Sequence, residues 1–146
     1  ETKVVSEKVT RNVVDEIRLV GAKIGTPTSP APFDIQLDSK GQPVNYKTVY
    51  NGKATAYSSD RGYAGTRTAS GRPAMVGVVS VNPKLIPYGT KLYIVSPDGS
   101  YVYGYAVAGD TGGALMSGRV LVDVFFDHYE ECLRFGARNM NVYVIG

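Results

Sequence analysis

Two aspartates stand where a folding pattern alone would not place them. Asp110 opens the glycine turn 109–113, and Asp123 interrupts the apolar run 120–126. That run has the β-branched and aromatic content of a buried strand. A carboxylate in such a strand must be paired, hydrogen-bonded or protonated, because removing its water costs several kcal/mol. Asp123 is therefore a candidate for acid chemistry, whereas Asp110 fits a plain turn as well as a functional site.

Other chemically active groups are few in this sequence. Cys132 is the only cysteine and His128 the only histidine, so neither a disulfide framework nor a zinc ligand set is present. A carboxylate-bound metal at Asp110 and Asp123, with Asp127 as a third ligand, is a less favoured alternative because a calcium shell needs more oxygen ligands. The sequence predicts no metal site and no cofactor.

Composition and charge limit the class of protein. The 146 residues, 43% of them hydrophobic, suffice for one well-buried domain with an appendage. Seventeen glycines, eight prolines and eleven tyrosines indicate short strands joined by tight turns. The net charge of +3 comes from scattered Lys and Arg residues, which argues against a nucleic-acid partner. A polyanionic surface, such as a wall rich in phosphate polymers, would also suit this charge. No apolar stretch is long enough to span a membrane.

The hydrophobic pattern predicts a mainly β fold. One helix is expected at 130–135, ended by Gly136 as its C-terminal cap. Six strands and one short helix favour a small closed barrel, which removes exposed sheet edges. The strands are expected at 46–57, 76–81, 91–95, 101–108, 119–126 and 141–145.

The chain divides into three parts by composition. Residues 1–25 alternate polar and apolar positions and are expected to form a β extension that lacks a core of its own. Residues 26–45 begin with a proline-rich stretch and are predicted to be a linker and turn. Residues 46–146 are expected to form the barrel domain.

The order of several motifs from Lys53 onward resembles the three-aspartate domain of bacterial cell-wall proteins, the stationary-phase survival family. The resemblance covers about 53–146 and includes the closing helix and strand. Its motifs are Ala54–Tyr57, Thr68–Ala74, Gly77–Pro83, Ile86–Thr90, Asp110–Gly113, Val122–Phe126 and Phe135–Val144.

This resemblance implies a fold, an activity and a location. The family has a six-stranded double-psi β-barrel, similar in its core to lytic transglycosylase A of Gram-negative bacteria. It implies cleavage of the MurNAc–GlcNAc bond of peptidoglycan glycan strands to give 1,6-anhydromuramoyl ends, outside the cell or at the wall. Residues 1–25 resemble the tail of a G-five wall-binding domain.

The resemblance also assigns the acidic residues. Asp123 matches the family's catalytic acid/base and Asp110 its second aspartate, whereas the first aspartate is replaced by Asn82. The loss of that carboxylate leaves open a peptidoglycan-binding module with little or no activity. Thr55 is expected to be structural.

Further residues are expected to line the substrate groove. Glycines would allow close approach of a sugar ring, and a tyrosine ring would offer it a stacking surface. With Asn82, the predicted substrate-binding residues are Thr111, Gly112, Gly113, Tyr57 and Ser70.

Overall fold

The computed structural model describes residues 24–59 and 67–146. They contain six strands and two short helices. The strands are β1 (Thr48–Tyr57), β2 (Val78–Ser80), β3 (Lys91–Val95), β4 (Val102–Asp110), β5 (Val122–Phe125) and β6 (Arg138–Val144). The helices are α1 (Gly113–Met116), between β4 and β5, and α2 (Tyr129–Phe135), between β5 and β6.

The strands close into one barrel in the order β1, β5, β2, β4, β3, β6. Two pairs are parallel, β1 with β5 and β2 with β4, and the other four are antiparallel. Parallel neighbours require crossover connections, so strands far apart in sequence become adjacent. The predicted mainly β, closed six-stranded barrel is confirmed.

Side chains alternate between the inside and the outside of the barrel along each strand. Most of those that point inside are small or branched. Val79, Val122 and Val124 are fully buried in one cluster with Ala54 and Ala108. Residues between these positions point to the outer face, because successive side chains in a strand alternate. The core therefore fixes which residues are presented outside.

One expectation about the helices was wrong. The sequence predicted a single helix, whereas the structure adds α1, one turn directly after Gly112. Leu115 is buried and holds this turn against the barrel. The two glycines at its start have low helix propensity, which hid the turn from the sequence pattern.

The segment predicted to be a linker contacts the barrel. The Ser29 N–H donates to the Tyr103 carbonyl (2.8 Å), and the Ser29 carbonyl accepts from the Tyr105 N–H (2.7 Å). Gly104 has φ +100, and a Cβ there would lie 2.3 Å from the Ser29 carbonyl oxygen. Only glycine permits this approach.

Gln42 joins the same segment to the barrel wall. Its buried side chain donates to the Ser96 carbonyl (2.9 Å) and accepts from the Tyr143 hydroxyl (2.8 Å) and the Asn141 amide (3.2 Å). These contacts do not test the predicted domain boundaries. The β extension predicted for 1–25 lies almost wholly outside the described residues.

Candidate active site

The two aspartates lie on the outer face of the barrel, on either side of one serine. Ser80 of β2 is paired with Asp110 of β4 and with Asp123 of β5. Asp123 is paired in turn with Thr55 of β1. Residues paired across strands point to the same face, so these side chains form a row over four neighbouring strands.

A β-bulge brings Asp110 into this row. Val79 is paired with Ala108 and the next residue, Ser80, with Asp110, so Gly109 is the extra residue. An extra residue reverses the alternation beyond it, which moves Asp110 to the outer face although Ala108 is in the core. A Cβ at Gly109 would lie 2.7 Å from a methyl group of Val78, so this bulge requires glycine.

Asp123 is partly buried, and its pKa is raised toward neutral pH. Burial raises its pKa to about 6, and the charge of Asp110 adds to the rise. The Thr55 hydroxyl donates to the Asp123 Oδ1 (3.0 Å) and opposes the rise in pKa. A carboxyl in this state exchanges its proton near neutral pH.

Asp110 also holds a loop beside the row. Its Oδ1 accepts from the Ala69 N–H (3.0 Å) and the Thr111 N–H (2.9 Å). The Ser70 N–H donates to the Gly109 carbonyl (3.1 Å). The loop that carries Ser70 is therefore fixed next to Asp110.

Tyr57 lies at the end of β1 on the same face as Thr55. Burial raises its pKa to about 12, and the charges of Asp110 and Asp123 add to the rise. The nearby Ser80 hydroxyl opposes it. The Tyr57 ring packs edge-on against Phe125, with centroids 5.3 Å apart.

Two hydroxyls in this region are buried without a hydrogen bond of good geometry. Within 24–59 and 67–146, the buried side-chain polar atoms of this kind are the Tyr57 hydroxyl and the Thr111 hydroxyl. Buried polar groups normally have partners, but both oxygens are enclosed by protein atoms, so a ligand would reach them only after a local side-chain movement.

The glycines after Thr111 face open space. A Cβ at Gly113 would meet no heavy atom within 4 Å, and one at Gly112 would reach only Leu115, at 3.8 Å. The fold therefore does not need glycine at Gly113 for steric reasons. The room that a side chain would fill remains available to a ligand.

Asn82, predicted to bind substrate, has its side chain in a turn. Its Oδ1 accepts from the Lys84 N–H (3.0 Å), and its carbonyl accepts from the N–H groups of Leu85 and Ile86. The side chain therefore stabilises the turn after β2. It lies two residues beyond Ser80, next to the aspartate row and outside it.

Two members of the row were not among the predicted site residues. Thr55, expected to be structural, donates to the acid, and Ser80 separates the two carboxylates. Ser80 is the one polar residue between Val78 and Val81, a signal of the same kind as Asp123 in its own strand. Among the described residues no three His, Cys, Asp or Glu side chains cluster as metal ligands.

The chain is similar to a protein family and to several known proteins. The family model described as "3D domain" matches 77–146. YabE of Bacillus subtilis (strain 168), named for cell wall shaping, is 27% identical over 138 residues, covering 90% of this chain and 32% of its own. YocH, a cell wall-binding protein of the same organism, is 32% identical over 96 residues, covering 63% and 31%.

The chain thus spans about a third of the length of these two relatives. Among solved structures, MltA from E. coli matches with 28% identity and a TM-score of 0.46, covering 56% of this chain and 28% of that one. The same lytic transglycosylase carrying D308A gives 23% identity and a TM-score of 0.45, covering 56% and 27%. No helix among the described residues is long and apolar enough to cross a membrane. The segment 77–146, which includes both aspartates of the row, belongs to the 3D domain family.

Proposed function

We propose that this barrel is a lytic transglycosylase that cleaves the MurNAc–GlcNAc bond of peptidoglycan during cell-wall remodelling. The observation that carries the proposal is Asp123, a partly buried carboxyl on the outer face of the barrel, with its pKa raised to about 6. Its neighbours are hydroxyl groups and one further carboxylate. This is the environment of a single acid/base that acts on a polar substrate.

The first step needs a proton on Asp123. With a pKa of about 6, roughly one tenth of the molecules hold it at pH 7. At the ordinary value of 3.8, fewer than about one in a thousand would do so. The site thus increases the acid form by about two orders of magnitude.

Bond cleavage then follows in two proton transfers. Asp123 gives its proton to the glycosidic oxygen as the bond from that oxygen to C1 of MurNAc breaks. The carboxylate left behind accepts the proton of the C6 hydroxyl of the same sugar, and the C6 oxygen forms a new bond to C1. The product is a 1,6-anhydromuramoyl end, no water is consumed, and Asp123 is protonated again.

The neighbouring residues have supporting roles in this proposal. Asp110 keeps the pKa of Asp123 high through its charge. Tyr57 and Thr111 lie beside the two aspartates and help to shape the surface on which the glycan binds. Gly112 and Gly113 leave room for a sugar ring, and the loop of Ser70 forms one wall of the groove.

Relatives support the substrate class. YabE is named for cell wall shaping and YocH for cell wall binding. We extend this association to the present chain, with peptidoglycan as its partner and the extracellular face or the wall as its location. Nucleic acid is not a proposed partner, because the modest positive charge is not concentrated in one stretch of sequence.

Incubation with purified peptidoglycan tests the proposal through the chemistry of the soluble fragments. Wild-type protein should release fragments with anhydromuramoyl ends, identified by mass spectrometry. Asp123→Asn should release none while still binding the wall, since the amide keeps the shape of the side chain and cannot deliver a proton. Asp127→Asn, an exposed aspartate after the same strand, is the matched control and should retain activity.

Other outcomes assign the protein differently. Fragments with reducing ends would identify a hydrolase. Binding without release by the wild-type protein would support the binding module, the alternative raised by Asn82. Release by Asp123→Asn within a few-fold of wild type would exclude Asp123 as the acid.

A further inference from the structure

A second pocket lies beside the aspartate row, with a volume of about 210 Å³. Leucine side chains contribute an apolar part, and the middle of β1 and the α1–β5 loop contribute polar groups. The lining residues used below are Lys53, Asn82, Leu85, Arg119 and Leu121.

The strand register fixes the position of this pocket relative to the acid. Lys53 precedes Thr55 by two residues in β1, and Asn82 lies in the turn that follows Ser80, the last residue of β2. Positions two apart in a strand share a face and lie about 7 Å apart. The pocket is therefore displaced by about that distance from Asp123, on the same outer surface.

The pocket is positively charged. Lys53 and Arg119 are its charged lining residues, and both are exposed. Asn82 is neutral, and its side-chain carbonyl already accepts the Lys84 N–H, so its amide NH₂ is the group it offers a ligand. Two cations and an amide donor suit a carboxylate.

We propose that this pocket binds the lactyl carboxylate of the muramoyl residue whose C1 is attacked, and so selects glycan strands from which the peptide has been removed. The inference rests on the proposed function, since Asp123 defines the reacting sugar. In MurNAc the lactyl group extends from C3, and its carboxyl reaches beyond the ring by a span similar to the offset between Asp123 and the pocket. The carboxylate is free and negative only when no peptide is attached, because the stem peptide joins it through an amide.

Binding measurements in the Asp123→Asn background separate this inference from catalysis. Calorimetry would compare three soluble glycans of equal length: peptide-free strands, the same strands with their lactyl carboxyls converted to methylamides, and strands that keep their peptides. Wild-type cleavage of the same material tests the proposed function independently.

Peptide-free strands should bind most tightly, by at least about fivefold over the methylamides. Lys53→Met and Arg119→Met should each weaken that binding by about fivefold, the upper range for one partly exposed ion pair, and leave the methylamide affinity unchanged. Lys53→Arg should keep the preference. Lys91→Met, which removes an exposed lysine of β3, is the charge-matched control and should have no effect.

Asn82→Asp tests the same pocket by adding a negative charge. It should weaken binding of the peptide-free strands and leave the turn intact, because an aspartate oxygen can still accept the Lys84 N–H. Equal affinity for charged and methylamidated strands would overturn the proposal. An equal loss of affinity in Lys91→Met and Lys53→Met would also overturn it. Tighter binding of the peptide-bearing strands that depends on Lys53 would overturn it too, and would assign the pocket to a peptide carboxylate.

Discussion

Replacing Asp123 with asparagine should stabilise the folded protein at neutral pH while it abolishes catalysis. In the folded state the pKa of this carboxyl is about 6, against an ordinary value of 3.8, chiefly because burial penalises the charged form. At pH 7 folding therefore keeps a carboxylate in a place where it is less stable than in water. Asparagine removes the charge and can still accept the Thr55 hydroxyl.

The size of the effect follows from the two pKa values. Well below pH 3.8 the carboxyl is protonated in both states and does not affect stability. As pH rises from about 4 to about 6 the unfolded chain ionises first, so the free energy of unfolding of the wild type falls by about 3 kcal/mol. Above pH 6 the difference is constant, and this is the gain expected for Asp123→Asn, or about 10 °C in Tm.

Urea unfolding of both proteins from pH 3.5 to pH 8 measures this difference directly. Asp98→Asn is a control of opposite sign, because hydrogen bonds from Ser100 and Ser96 lower the pKa of Asp98 to about 2. Those bonds stabilise the fold above pH 4, and their contribution is lost as pH falls toward 2, so this variant should be less stable than wild type at pH 7. If Asp123→Asn were no more stable than wild type at pH 8, or equally stabilised at pH 3.5 and pH 8, the assignment of a raised pKa to Asp123 would be wrong.

Three further predictions concern the surroundings of the acid and the segment before the barrel. Thr55→Val should raise the pKa of Asp123 and extend fragment release to higher pH, whereas Asp110→Asn should lower it and move the alkaline limit of release down; superimposable pH–rate profiles would refute both roles. Gln42→Leu should lower the free energy of unfolding by about 2–4 kcal/mol in urea titrations, since it leaves buried partners without hydrogen bonds, and an unchanged midpoint would support a detached linker. Gly113→Ala should be neutral or stabilising by up to about 1 kcal/mol, while Gly113→Phe should weaken glycan binding in calorimetry without loss of stability; equal glycan affinity would place the substrate elsewhere.

Local sequence was sufficient for most of the secondary structure. The strand Lys91–Val95 was predicted with its observed bounds, because alternation and flanking turns are encoded within a few residues. The helix at Tyr129–Phe135 was predicted one residue short, and its end at Gly136 follows from that residue's positive φ. Helix α1 was not predicted, because glycine has a low helix propensity. This short helix contains the buried residue Leu115, and burial depends on the tertiary structure.

The residue types of the site were also visible in the sequence. A charged side chain inside the apolar run around Asp123 is costly wherever the strand packs, so its presence alone indicated an unusual carboxyl. Ser80 is likewise a polar residue inside an apolar run, so its position in the sequence also indicated a site residue. Thr55 gave no such signal, because threonine is common in strands.

The contacts between these groups depend on the closed barrel. Thr55 and Asp123 are 68 residues apart, and their contact exists because β1 and β5 are parallel neighbours in the closed barrel. The bulge at Gly109 turns Asp110 to the outer face, and no pattern within β4 specifies it without the partner strand. That an aspartate lies within an apolar strand can be read from the sequence alone, since it is a property of neighbouring residues. The pKa of that aspartate and the cationic pocket beside it depend on distances between distant segments, and these are set by barrel closure.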